Sequence, residues 1–164
     1  MDKEWILSIL NSIQERVGEN MKKIAVIYWS GTGNTQMMAN AVAEGAKAAG
    51  AEVSVLEVGA ASVADALSAD GIALGCPSMG SEVLEESEME PFVEDLTKED
   101  LKGKPLALFG SYDWGDGQWM RDWSERMQDK GVKLADEGLI VNNTPDDEGL
   151  ELSRALGSKL ASLL

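Results

Sequence analysis

The most restrictive feature of this 164-residue sequence is a run of strand length, Lys23-Ile24-Ala25-Val26-Ile27-Tyr28-Trp29. It passes without a spacer into a polar, glycine-containing turn, Ser30-Gly31-Thr32-Gly33-Asn34-Thr35, and then into a helix-forming stretch over 34–49. A strand apolar on both faces needs cover on both faces, which is the situation of a central strand in a parallel sheet. The same alternation returns along the chain, with strands predicted at 52–58, 71–76, 105–111 and 132–141, and helices at 89–101, 118–128 and 147–163. Five strands alternating with helices predict an α/β fold: an open five-stranded parallel sheet, helices on both faces and right-handed crossovers. A chain of this length makes one domain and buries about 70% of its unfolded surface, so neither disulfides nor a structural metal is required.

Composition removes several kinds of chemistry. The sequence has no histidine, which excludes Ser-His and Cys-His nucleophile systems, His-ligated metals and His proton shuttles. Its single cysteine, Cys76, has no intramolecular disulfide partner, and no signal-peptide layout is visible, so a cytoplasmic location is expected. No apolar run approaches the roughly 18 residues of a membrane span. A net charge of −15 disfavours nucleic acid and anionic membranes and favours basic protein partners.

Residues 1–20 stand outside the alternation. At about 100° per residue, Trp5, Ile6, Ile9, Leu10, Ile13 and Val17 fall within one arc, with Ser8, Asn11, Ser12 and Glu15 opposite. Gly18 is expected to end this helix and Glu19-Asn20 to link it to Met21, where the domain over 21–164 begins. A short amphipathic helix ahead of a whole domain resembles the encapsulation peptides of bacterial microcompartment cargo proteins. That resemblance implies shell or cargo proteins as partners and a place inside a microcompartment; docking on its own domain and an expression scar are the other two readings. Lys3 and Arg16 are balanced by Asp2, Glu4, Glu15 and Glu19, which suits anionic lipid poorly.

The turn at 30–35 combines backbone freedom at its glycines with hydroxyl and amide donors, and it opens a helix whose first N–H groups are free and partly positive. It suits a phosphate, although taken alone it also reads as a plain helix-capping turn. It is not a Walker loop, for no Lys or Arg lies between Lys23 and Lys47, and Gln36 stands where a dinucleotide fingerprint needs its third glycine. Two further loops follow strand ends on the same sheet edge, Gly75-Cys76-Pro77-Ser78-Met79-Gly80-Ser81-Glu82 and Ser111-Tyr112-Asp113-Trp114-Gly115-Asp116-Gly117. Loops after strand C-termini meet where ligands bind in such sheets. Trp29, Met79, Tyr112 and Trp114 are suited to a flat aromatic ligand, so a phosphate socket beside a ring slot suggests flavin mononucleotide (FMN).

These three loops, with Glu90-Pro91-Phe92 and Val141-Asn142, closely resemble those of short-chain, clostridial-type flavodoxins, and the sequence lacks the last-strand insertion of long-chain members. The resemblance covers Met21 to the C-terminus and implies sheet order 2-1-3-4-5. It also implies a low-potential one-electron carrier, cycling bound FMN between semiquinone and hydroquinone, between a reductase or ferredoxin-like donor and an acceptor enzyme. By the same resemblance, Ser30, Thr32, Asn34 and Thr35, with the amide of Gly33 and helped by Ser111, hold the phosphate. Gly31, Pro77, Ser78, Met79, Gly80, Ser81, Glu82, Tyr112, Asp113, Trp114 and Gly115 complete the FMN-binding set. Met79 packs on the inner face and Trp114 stacks on the outer. The Met79-Gly80 peptide rotates on reduction to offer a carbonyl to flavin N5–H, and Glu82 accepts from N3–H. Asp113 replaces the glycine of close relatives beside the pyrimidine end, and Ser81 replaces an Asp found in some.

Glu82, Glu85, Glu86, Glu88, Glu90, Glu94 and Asp95 form an acidic run with no basic residue among them. A solvated face explains much of it. Carboxylates about 10 Å from a flavin would each also oppose an added electron by roughly 0.4–1.7 kcal/mol. Cys76, Trp119, Trp123, Met120 and Met127 read as packing residues. No general base or substrate pocket is evident, so an electron-transfer protein is expected rather than an enzyme. An FMN-dependent NAD(P)H:acceptor oxidoreductase and a flavin-free interaction module are the alternatives on the same fold.

Overall fold

The computed structural model describes residues 3–164, and the side chains of all of these except 12–20. Helix α1 (Lys3–Asn20) precedes β1 (Lys23–Tyr28), α2 (Asn34–Ala48), β2 (Glu52–Glu57), α3 (Val63–Leu67), β3 (Gly71–Gly75) and α4 (Met89–Leu96). There follow β4 (Pro105–Tyr112), α5 (Gln118–Asp129), β5 (Lys133–Leu134), β6 (Leu139–Asn142) and α6 (Asp147–Ser162). The sheet is wholly parallel, in the order β2-β1-β3-β4-β5, with β6 also paired to β4.

The apolar run at 23–29 becomes the interior strand β1, with Val26 in register with Val55 on one side and Ala73 on the other. Alternate residues feed two cores. Ile24, Val26 and Tyr28 join Ala107 and Phe109 beneath α2 and α6, packing on Met38, Val42, Leu156 and Leu160. Ala25 and Ile27 join Ile72, Leu74, Leu106 and Leu108 on the other face, against Met89, Phe92, Trp119 and Trp123. Burial on both sides is what the unbroken hydrophobicity of β1 and β3 required.

On the first face α2 and α6 touch through glycine. A Cβ on Gly157 would lie 1.9 Å from the Val42 carbonyl oxygen, and one on Gly45 would lie 1.8 Å from that of Arg154. Only hydrogen at these positions lets the two helices reach each other and the sheet together.

Three elements depart from expectation. The strand predicted over 132–141 is broken: Leu106 faces Leu134 and Phe109 faces Leu139, so four residues on the outer strand, 135–138, stand opposite two on β4. Asp136 in the break is ion-paired with Lys159 of α6. Gly138 is packed so closely on Met120 that a Cβ would meet its Sδ at 2.4 Å. The short helix α3 was not anticipated, although Ser62 and Asp65 form a reciprocal capping box at its start, with bonds of 3.1 and 2.8 Å. Helix α4 ends at Leu96 rather than 101.

Helix α1 runs through Gly18 to Asn20 instead of stopping at the glycine. Residues 3–11 are exposed throughout, including Trp5, Ile6, Leu7, Ile9 and Leu10. The expected contributions of Ile13 and Val17 to its apolar face lie outside the described side chains. No helix among the described residues is long and apolar enough to cross a membrane.

Candidate functional site

The loops after β1, β3 and β4 converge at the C-terminal edge of the sheet. Backbone bonds tie them: Trp29 N–H donates to Gly75 O at 2.9 Å, Cys76 N–H to Phe109 O at 3.0 Å and Ser78 N–H to Ser111 O at 3.0 Å. A Cβ on Gly110 would lie 2.0 Å from the Cys76 carbonyl oxygen, so glycine is what lets the second and third loops leave the sheet side by side. Between them lies a cavity of about 130 Å³ lined by Trp29, Ser30, Gly31, Thr32, Asn34, Thr35, Pro77, Ser78, Met79, Ser111, Tyr112 and Asp113. Met79 also forms part of a second cavity of about 430 Å³, with Gly80, Ser81, Val83 and Glu85. The expected site residues Gly33, Glu82, Trp114 and Gly115 line neither.

The first cavity gathers hydrogen-bond donors on one side, with the carboxylate residue Asp113 also in its lining. Gly33 takes φ +97° where α2 begins, a conformation natural to glycine. Ser30 Oγ accepts from Gly33 N–H at 3.1 Å and from Gln36 N–H at 3.3 Å, so both its lone pairs are engaged and its O–H is left to donate. Thr35 and Ser111 are buried and join the first and third loops by an Oγ1···Oγ contact of 3.0 Å, with Ser111 N–H donating to Thr35 Oγ1 at 3.4 Å. One hydroxyl of that pair is left to donate outward. With Thr32 O–H, the Asn34 amide and the Asn34 and Thr35 N–H groups at the start of α2, which have no intrahelical acceptor, this is a socket for an anion. No Lys or Arg among the described residues lines it. The donor set fits the phosphate of FMN, which would be held by dipoles and hydroxyls alone, and no cluster of metal-binding side chains occurs among the described residues.

Glu82 occupies a role not foreseen. Its backbone is left-handed, φ +55°, an uncommon state for a residue with a Cβ. Its Oε1 accepts from the N–H groups of Asp116, Gly117 and Gln118 at 3.2, 3.1 and 3.1 Å, which places a carboxylate on the positive end of α5 and clasps the second loop to the third. Gly115 makes room for it, since a Cβ there would sit 2.4 Å from Oε1. Trp114 is 61% exposed. Asp113 is exposed, and Arg121 is bound to the neighbouring Asp116 at 2.8 Å.

The acidic run proves heterogeneous. Glu85 is buried, and its carboxylate accepts from the N–H groups of Ser87, Glu88 and Met89 at 2.7, 2.8 and 2.9 Å. Burial pushes its pKa up, but these bonds outweigh it and hold the carboxyl below its ordinary range. Glu90 pairs with Arg126 at 2.8 Å and Asp95 with Lys98 at 3.4 Å. Among the described residues, only Glu86, Glu88 and Glu94 of the seven lack a bonded partner, so the run holds fewer free charges than the sequence suggests. Cys76 is fully buried, and desolvation pushes its thiol up to about 12, which keeps it protonated. Trp119 is buried and donates from Nε1 to the Cys76 carbonyl at 3.1 Å; Trp123, Met120 and Met127 are core residues, as expected.

A parallel sheet with a phosphate socket and an aromatic-rimmed loop pair at its C-terminal edge defines a nucleotide-cofactor protein of the open α/β class. The family model for flavodoxin matches residues 26–157. The sequence is 45% identical over 138 residues to the flavodoxin of Clostridium beijerinckii, covering 84% of this chain and 99% of that one. It is 49% identical over 124 residues to that of Megasphaera elsdenii, covering 76% and 89%. The solution structure of two-electron reduced Megasphaera elsdenii flavodoxin superposes with a TM-score of 0.76 at 45% identity, over 85% of this chain and 98% of that one. The chain belongs to the flavodoxin family. It is an FMN-binding electron carrier, an electron-transfer protein rather than an enzyme.

Proposed function

We propose that the chain carries single electrons at low potential between a donor and an acceptor protein, on FMN bound at the meeting of the three loops. The observation that carries this reading is the socket of hydroxyl, amide and N–H donors, without Lys or Arg among its described lining residues, built from Ser30, Thr32, Asn34, Thr35 and Ser111 beside Met79 and Tyr112. FMN supplies the redox chemistry; the protein supplies orientation and field. Ser30, Gly31, Thr32, Gly33, Asn34 and Thr35 hold the phosphate. Pro77, Ser78, Met79, Gly80 and Ser81 form the inner wall against the ring, and Tyr112, Asp113, Trp114 and Gly115 the outer wall. The exposure of Trp114 supports its role as a stacking lid: an indole left in water beside a ring slot gains about 0.5–1.5 kcal/mol by stacking. Glu82, with Oε1 already bound to α5, offers Oε2 to the flavin N3–H.

The net charge of −15 and the free carboxylates of Glu86, Glu88 and Glu94 oppose a further electron on the flavin and favour basic docking partners, such as a reductase or ferredoxin-like donor. Helix α1, with five large apolar side chains exposed on residues 5–10, serves as an assembly address rather than as part of the carrier. We place the protein in the cytoplasm, with α1 recruiting it to a microcompartment shell or its cargo.

Adding FMN to FMN-free protein and titrating it spectroelectrochemically tests the carrier: a one-to-one complex with two separated one-electron steps is expected. Failure to take up FMN would overturn the reading. Residues 1–20 fused to a fluorescent protein are expected to give puncta in cells making shells, and diffuse fluorescence there would refute the address.

A further inference from the structure

We propose that Glu85 is a positioning residue for the flavin loop, fixing the far end of segment 79–84 to α4 so that rotation is confined to the Met79-Gly80-Ser81 turn. The inference rests on the assignment of that turn to the flavin ring. Glu85 is a carboxylate only 6% exposed, with no cation among the described residues paired to it. A group so placed is costly to bury unless its oxygens are fully bonded, and both are, by the N–H groups of Ser87, Glu88 and Met89. Its own N–H donates to Cys76 Sγ at 3.4 Å, and its carbonyl accepts from Glu90 N–H at 2.9 Å. One residue thus joins the end of the loop to the end of β3 and to the first turn of α4.

The base of the loop is closed as well. Met79 and Val83 exchange reciprocal backbone bonds of 2.9 Å, and Leu84 is buried. What remains between Met79 and Val83 is the exposed pair Gly80 and Ser81, followed by Glu82. Gly80 has φ +48°, and nothing lies within 4 Å of the place a Cβ would take. Met79, Gly80 and Glu85 line the same cavity of about 430 Å³. The turn therefore has room to reorient on one side and a fixed anchor on the other. A loop free at both ends would lose the preference for one peptide orientation over the other, and with it the separation of the two one-electron potentials.

The test compares full-length FMN-loaded variants. Glu85→Asp keeps the charge but withdraws the carboxylate by one methylene; Glu86→Gln removes a neighbouring charge and leaves the bonds intact. Asp146→Ala removes the cap of α6, whose Oδ1 accepts from Gly149 N–H at 2.8 Å, and so reports lost stability alone. Glu85→Asp is expected to weaken FMN in the one-electron-reduced form at least tenfold more than in the oxidised form, a fall of about 59 mV in the first potential. It is also expected to speed exchange of the Met79 and Val83 amides at least tenfold in FMN-free protein, relative to those of β1. Asp146→Ala is expected to do neither, and Glu86→Gln, which removes a free negative charge, is expected to leave amide exchange unchanged and to raise the first potential rather than lower it. An unchanged first potential in Glu85→Asp, or an equal change in Asp146→Ala, would overturn the proposal. Gly80→Ala separates the two readings: a potential shifted by Gly80→Ala but not by Glu85→Asp defeats the anchor alone, and one shifted by neither defeats the assignment of the turn as well.

Discussion

Glu82 and Glu85 lie three positions apart in the acidic run and both place their carboxylates on backbone N–H groups at a helix start, α5 for one and α4 for the other. This explains why the run is not a uniform charged face: two of its members are structural anions inside the fold, and the peptide N–H groups stand where counter-ions would be. For Glu85 the consequence depends on pH. Its folded pKa lies below the unfolded value of about 4.3, so its contribution is fully present above that value and is lost as pH falls through the folded one. Glu85→Gln is expected to lower stability by about 2 kcal/mol at pH 7. In urea unfolding that difference should shrink steadily below about pH 4, and a difference independent of pH would contradict the assignment. Asp113 makes a second case at this scale. It lines the socket cavity, and at the proposed site its carboxylate would oppose negative charge on the ring. Asp113→Gly is expected to raise the second one-electron potential, by roughly 20–70 mV for a charge about 10 Å away. Redox titration showing no rise would exclude it.

At the scale of elements, the glycine contact between α2 and α6 sets two effects against each other. Alanine at position 157 would gain about 1 kcal/mol of helix propensity. Its Cβ, however, would sit 1.9 Å from the Val42 carbonyl oxygen, which is backbone and cannot rotate aside. Overpacking of this kind costs typically 1–3 kcal/mol, so Gly157→Ala is expected to be destabilised on balance by denaturant titration. A higher unfolding midpoint would show that the helices part easily. The same scale shows what could be read ahead of the structure. The strand-turn-helix at 23–48 was legible because its determinants are local: an apolar run, a glycine in left-handed conformation and a free helix start. The break at 135–138 was not, because it depends on Lys159 and Met120, which are distant in sequence. Helix α3 carried its signal in Ser62 and Asp65, but five residues offer too little periodicity to read. Likewise a string of Glu residues looks alike in one dimension; only folding decides which meet a helix end, an arginine or water.

For the molecule as a whole, α1 and the domain follow different rules. The sheet and its helices bury two apolar faces, whereas residues 3–11 bury none. Removal of residues 1–20 is therefore expected to leave FMN affinity and both potentials within error; a change in FMN affinity would mean that α1 supports the site. Electron transfer to a basic partner should slow as salt is raised, since a net charge of −15 attracts such a partner only within a Debye length, about 8 Å at physiological ionic strength.

The cation-free socket reverses that salt effect for the cofactor. A phosphate bound by lysines loses affinity when ions compete for it, but at the proposed site the phosphate is held by short-ranged bonds from hydroxyls and N–H groups, while the long-ranged force between an acidic protein and an anionic nucleotide is repulsive. Added salt removes the repulsion and leaves the hydrogen bonds. Cofactor capture should consequently quicken and tighten in concentrated buffer, just where docking to redox partners fades, so that loading the carrier and discharging it favour opposite ionic conditions.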